Sequence, residues 1–253
     1  MNNIKRKLSE LNVKYCDFIN IEKLPNYKIN IFKNNNTTHT YVDFRENEPV
    51  LNIHRDYFPL LKSNAAPIIF HEFTHILDNS KLLPELATDK RHILTCMYSE
   101  YHAVQVQMKN SLHFETFDAD YKFKLETKVH DWFDNKNVKE DIVYKTNDFI
   151  ATIKSIINNK NELYTYNLVL HCVYYQSMCD FWKEYCQTDI TNMLKDNDIF
   201  KILFGTEYEM FHHMLKNIKE RDMNYFNLLY SSQIKMVEYF GNHEEEIIKN
   251  FLI

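Results

Sequence analysis

Only two glycines, Gly205 and Gly241, occur in 253 residues, and this scarcity constrains the fold more than any other feature. Tight hairpins, bulges and closely approaching backbones draw on glycine's easy access to positive φ. A β-sandwich or barrel needs many such turns, so neither is expected. Phosphate-cradling loops need glycines in a fixed order, so the chain carries neither a P-loop nor a dinucleotide fingerprint. A helix-rich fold remains. Hydrophobic residues make up 45% of the chain and aromatics 15%. That is enough for a packed core in one large domain or two small ones.

Charge and cysteine usage exclude further classes. A net charge of −5 gives no global attraction to nucleic acid. The basic start, Met1 to Lys7, is not followed by an apolar run. No apolar stretch approaches the roughly eighteen residues of a spanning helix. A cytoplasmic protein without membrane or nucleic-acid partners is expected; the oligomeric state is not legible. The five cysteines are odd in number and dispersed, unlike a disulfide framework. Cys172, Cys179 and Cys186 recur at seven-residue steps, which makes a core stripe on one helix rather than a metal cluster.

Periodicity divides the chain into a mixed N-terminal part and a helical remainder. Residues 3–12 suggest a short amphipathic helix. Tyr27–Phe32 and His39–Phe44 alternate polar and apolar residues around the turn Asn34 to Thr38, which reads as a hairpin. Pro49–His54 makes a third strand, and Val50–His54 is the candidate edge for pairing with an extended peptide backbone. From Pro84 onward the pattern is helical. A helix from about 84 to 110 is followed by helices near 118–134, 139–158, 161–187, 189–204, 206–220 and 223–251. The expected class is α+β and predominantly helical, with a small antiparallel sheet. Residues 1–110 form the region that holds the chemistry; residues 111–253 form a helical C-terminal region.

The chemistry is concentrated in His71-Glu72-Phe73-Thr74-His75. Two histidines four residues apart lie one above the other on a helix face, so both imidazoles can bind one ion. The Glu72 carboxylate between them can reach a water and take its proton. The flanks support a helix. Ser63-Asn64 offers an N-cap, Pro67 sits in the first turn, and Asp78-Asn79-Ser80 supplies a stop. Ile68, Ile69, Phe70, Phe73, Ile76 and Leu77 make it largely apolar. Buried ionisable groups need a partner or a metal.

A catalytic zinc takes three protein ligands and keeps one open position. A third histidine six residues after His75 would complete one known pattern, but that position is Lys81. The next helix carries an apolar stripe of Leu86, Ile93, Met97, Val104 and Met108, and Glu100 falls on it. A carboxylate on the inward face is the anomaly a metal ligand produces. Asp89 is the alternative: it shares that face, but about 16 Å of helix separates the two, so one ion cannot hold both. A carboxylate at Asp89 is already accounted for by the positive end of the helix dipole. His92 is a lesser candidate.

His71-Glu72-Phe73-Thr74-His75 followed by Ser99-Glu100-Tyr101-His102-Ala103 resembles the gluzincin-type zinc metallopeptidases. The setting of Glu100 and Ala103 is similar to that of the ImmA/IrrE-like family. The resemblance covers roughly residues 27–110. It implies one Zn²⁺ per chain held by His71, His75 and Glu100, with Glu72 as general base in the hydrolysis of a peptide or protein substrate. Val104 stands where thermolysin-like enzymes carry the acid that orients a zinc histidine, so the orienting groups must come from elsewhere. The oxyanion of peptide hydrolysis needs a further donor. Of Tyr98, Tyr101 and His102 beside Glu100, His102 is ranked first. The alternative is a regulatory or interaction module of the same fold with a structural metal. A fourth protein ligand would mark that case.

Overall fold

The computed structural model describes residues 2–33, 40–46, 48–57, 66–130, 136–194, 196–217 and 221–252. The architecture is α+β and predominantly helical. Helix α1 (Asn2–Ile19) leads into strands β1 (Lys28–Phe32), β2 (Tyr41–Asp43) and β3 (Val50–His54). Helices α2 (Ala66–Lys81), α3 (Thr88–Ser111), α4 (Val138–Asn158) and α5 (Tyr164–Tyr185) follow. The chain ends in α6 (Asp196–Phe204), α7 (Glu207–Lys216) and α8 (Met223–Leu252).

The sheet departs from the expected one. Its order is β1-β3-β2, so it is mixed rather than antiparallel. β1 runs parallel to β3 with Lys28 opposite Val50 and Phe32 opposite His54. β2 runs antiparallel to β3 with Tyr41 opposite Asn52. The third strand is therefore the centre of the sheet, not its edge. The physical reason is legible in hindsight: Leu51, Asn52, Ile53 and His54 are all buried, whereas an edge strand with one solvated face alternates. β1 and β2 are not a hairpin pair, because β3 inserts between them; the turn at 34–38 lies outside the described residues, as does the proposed cap Ser63-Asn64.

The expected helix near 118–134 is absent from its described part, 118–130. That stretch is irregular, with turns and an isolated bridge at Phe123: the Phe123 N–H donates to the Tyr185 carbonyl, and the Gln187 N–H donates to that of Phe123. Around Phe123 the apolar residues Phe123 and Leu125 step by two, a strand period. The two scarce glycines fit the reading that few tight corners are needed. Gly205 turns the chain from α6 into α7 at φ +57, where a Cβ would meet the Tyr239 ring at 2.7 Å.

One apolar core runs from α1 to α8, with Tyr15, Phe73, Tyr175, Phe181, Trp182 and Phe240 all buried. All five cysteines are buried, and no disulfide joins them among the described residues. No described helix is long and apolar enough to cross a membrane. Three features place the helices that carry the chemistry. Tyr15 of α1 packs edge-on against Phe70 and Phe73 of α2 at 5.3 and 5.5 Å between ring centres, and its hydroxyl donates to Thr74 at 3.1 Å. At the α2–α3 corner the Arg91 guanidinium donates to the carbonyls of Asn79, Leu83, Pro84 and Leu86 at 2.6–3.0 Å. These bonds satisfy carbonyls that the helix end and turn would otherwise leave bare. The corner returns α3 along α2, and the opposite side of α3 is covered by α5.

Candidate metal centre

The return of α3 past α2 brings three donors together. The candidate ligand atoms of His71, His75 and Glu100 lie within 4.8 Å of one another. The two Nε2 atoms are 3.0 Å apart. His71 Nε2 lies 3.4 Å from Glu100 Oε1, and His75 Nε2 lies 3.5 Å from Oε2. A tetrahedral zinc with bonds of about 2.0–2.2 Å holds its ligand atoms about 3.3–3.6 Å apart. The donor set therefore fits such an ion in type, and both histidine–carboxylate spacings match, while the two imidazoles stand about 0.3 Å closer than a bound ion would hold them. Among the described residues, no fourth His, Cys, Asp or Glu joins this group.

Burial and mutual charge set the protonation of the group. Burial pushes His71 down to about 4, against the raising pull of Glu100, so this imidazole is neutral at pH 7 and has a lone pair to give. Glu100 is also opposed by burial, but the charges of His71 and His75 and the His75 hydrogen bond outweigh it and hold the carboxyl at about 2. His75 feels the same burial penalty, yet Glu100, Glu72 and Asp78 together raise it. Glu72 is pushed up to about 8 by burial, partly countered by His75 and by the Val42 backbone N–H. A divalent cation at the triad would be the largest charge nearby and would draw Glu72 back toward its ionised form.

The orienting groups missing from the sequence pattern come from α3 and α5. His75 Nδ1 lies 2.8 Å from Ser99 Oγ. With Nε2 directed at the triad, the Nδ1–H donates to that hydroxyl. His71 Nδ1 is buried without a close hydrogen bond among the described residues. The Gln107 side chain stands near enough to His71 to raise its pKa, and Tyr174 on α5 reaches Gln107 Oε1 at 3.5 Å. Ser99 had a signal in its adjacency to Glu100. Gln107 shares the inward face of α3 seven residues on from Glu100. Nothing local to the motif pointed to Tyr174, because its pairing with this site is set by tertiary packing.

The structure does not bring His102 to the triad. Its Nδ1 lies 3.0 and 3.1 Å from the two carboxylate oxygens of buried Asp78. Its ring stacks on Tyr98 and meets Phe117 edge-on. Two residues on from Glu100 is about 200° around a helix, which turns His102 away from the ligands. Asp89 is also separate. It lies in the first turn of α3 and lines a cleft of about 410 Å³ beside β2 with Tyr41, Val42 and His92. Tyr101 turns to the C-terminal helices and donates to Asp180 at 2.6 Å. His212 Nε2 lies 2.7 Å from the same Asp180.

Three further groups lie near the candidate centre. Tyr57 is raised to about 12 by burial and by the nearby Glu72 charge. The Tyr174 ring centre is 6.1 Å from that of His71, and the charge of His171 acts on Glu100. Comparison with family models, with characterised proteins and with solved structures gives no match to this chain.

Proposed function

We propose that this chain is a zinc-dependent metallopeptidase of gluzincin type, acting on peptide or protein substrates. The observation that carries the reading is the convergence of His71, His75 and Glu100 with Glu72 buried on the same turn of α2. A structural metal site has no use for a buried carboxylate between its two histidines. Three protein donors without a fourth among the described residues suit an open catalytic position.

When bound, the ion supplies Lewis acidity and a lowered pKa for water at that position. Glu72 accepts a proton from the attacking water and returns it to the leaving amine. Ser99 holds the His75 imidazole in register through its Nδ1 side, and Gln107 stands beside His71. The developing oxyanion also needs a proton donor, and Tyr57, raised to about 12 by burial and the Glu72 charge, keeps its proton at neutral pH. β2 is an edge of the sheet, and its Val42 N–H reaches Glu72. The extended backbone of a substrate would add at this edge, along the cleft shared with Asp89 and His92. A cytoplasmic setting suits five buried cysteines with no disulfide among the described residues.

The test is digestion of a diverse peptide library by zinc-loaded wild type and Glu72→Gln, read by mass spectrometry. We expect cleavage by the wild type and at least a ~100-fold loss in the variant, with equal zinc content. Hydrolysis that survives in Glu72→Gln removes that residue from the role of base. No cleavage by the zinc-loaded wild type contradicts the peptidase reading.

A further inference from the structure

A pocket of about 310 Å³ lies between α4 and α5, and one of its lining residues, Tyr174, neighbours His71 of the metal centre. His171, Tyr174, Tyr175 and Met178 line it from α5 at i, i+3, i+4 and i+7, one face of that helix. Phe149 and Thr152 line it from the facing side of α4. The floor is apolar and rigid: Phe149 and Tyr175 stack at 4.1 Å with planes 8° apart, and both are buried with Met178. The end nearest the ligands is built by Tyr174, whose ring centre is 6.1 Å from that of His71, and by His171, whose charge reaches Glu100. Lys145 and Asp148 stand on the same α4 face with opposite charges, so the pocket selects neither sign.

At about 310 Å³ the pocket is at the lower end of the range for ligand sites and is large enough for one bulky side chain. An aromatic floor without a net charge favours a ring or a long aliphatic chain. We propose that the α4–α5 pocket receives a bulky apolar or aromatic side chain of a peptide held at the metal centre, and so sets which peptides are bound there. The inference rests on the open metal position of the proposed function. It gives the C-terminal helices a part in recognition.

The experiment measures binding, without turnover, of the hydroxamates of acetyl-phenylalanine, acetyl-leucine, acetyl-alanine and acetyl-glutamate to the zinc-loaded protein by calorimetry. The hydroxamate takes the metal and leaves the side chain to report on the pocket. We expect the phenylalanine and leucine compounds to bind about tenfold or more tighter than the alanine one. Thr152→Trp, placed at the half-buried rim, should abolish that preference while zinc content and alanine hydroxamate affinity hold. Met178→Ala, which enlarges the floor, should shift preference toward a naphthylalanine hydroxamate and serves if the first variant does not fold. Equal affinities for all four compounds, or a preference that neither variant moves, overturn the pocket and leave the open metal position standing. Zinc-loaded protein that binds no hydroxamate overturns the open position and this inference together.

Discussion

Replacing Ser99 by alanine removes the group that orients His75 without touching a ligand. The hydroxyl lies 2.8 Å from Nδ1, and Ser99 is buried, so water has little access to take its place. Two magnitudes follow. Partners that orient metal-bound imidazoles contribute about 10–100-fold in metal affinity, which is about 1.4–2.7 kcal/mol. Leaving a buried polar nitrogen without its partner costs about 1–3 kcal/mol. The two ranges coincide, as they must if one hydrogen bond is responsible for both. Zinc affinity measured by competition with a chelator of known strength should fall about 10–100-fold in Ser99→Ala, while Ser99→Thr, which keeps the hydroxyl, stays within a few-fold of wild type. An affinity for Ser99→Ala within about threefold of wild type refutes the reasoning, since the hydrogen bond would then do nothing for the ligand.

Zinc binding at pH 7 should release protons. His75 is raised and Glu72 stands at about 8 without metal, while Glu100 at about 2 and His71 at about 4 are already deprotonated. Calorimetry in buffers of different ionisation enthalpy counts these protons; Glu72→Gln should lower the count, and zero release by the wild type contradicts the assignment. Asp180 anchors Tyr101, Gln176 and His212. Burial pushes its carboxyl up, but the bonds to His212 and Tyr101 win and hold it below its ordinary value. Its contribution to stability is therefore present above about pH 4 and lost as pH falls through the lowered folded value. Asp180→Ala should cost about 3–5 kcal/mol in denaturant unfolding at pH 7, with a shallower acid dependence than wild type. A loss under about 1 kcal/mol would show the network to be incidental.

Local pattern carried the metal site further than it carried the sheet. His71, Glu72 and His75 are fixed by one helical turn, and Glu100 stands out as a carboxylate on an apolar stripe; all are statements about a single helix. His102 failed because adjacency in sequence was read as adjacency in space, although two residues along a helix is more than half a turn. Asp78, its actual partner, lies three residues after His75 on the neighbouring helix, and only the α2–α3 packing reveals the pair. β3 failed for a related reason. Its composition suits any strand, and its central position follows from where β2 docks, which no residue within β3 records. The helix expected near 118–134 is replaced over 118–130 by irregular chain in which Phe123 pairs with the end of α5, a partner that only tertiary packing supplies. Tyr174 and His171 are ordinary residues of α5, and their place around the centre exists only once α5 lies across α3.

The central claim is that His71, His75 and Glu100 hold one metal ion. Elemental analysis of wild type and Glu100→Ala, purified side by side and then supplied with zinc and desalted, tests it most directly. The account predicts about one zinc per wild-type chain and its loss from the variant, with both proteins folded. Zinc retained at full occupancy in folded Glu100→Ala, or none bound by the wild type, would contradict it.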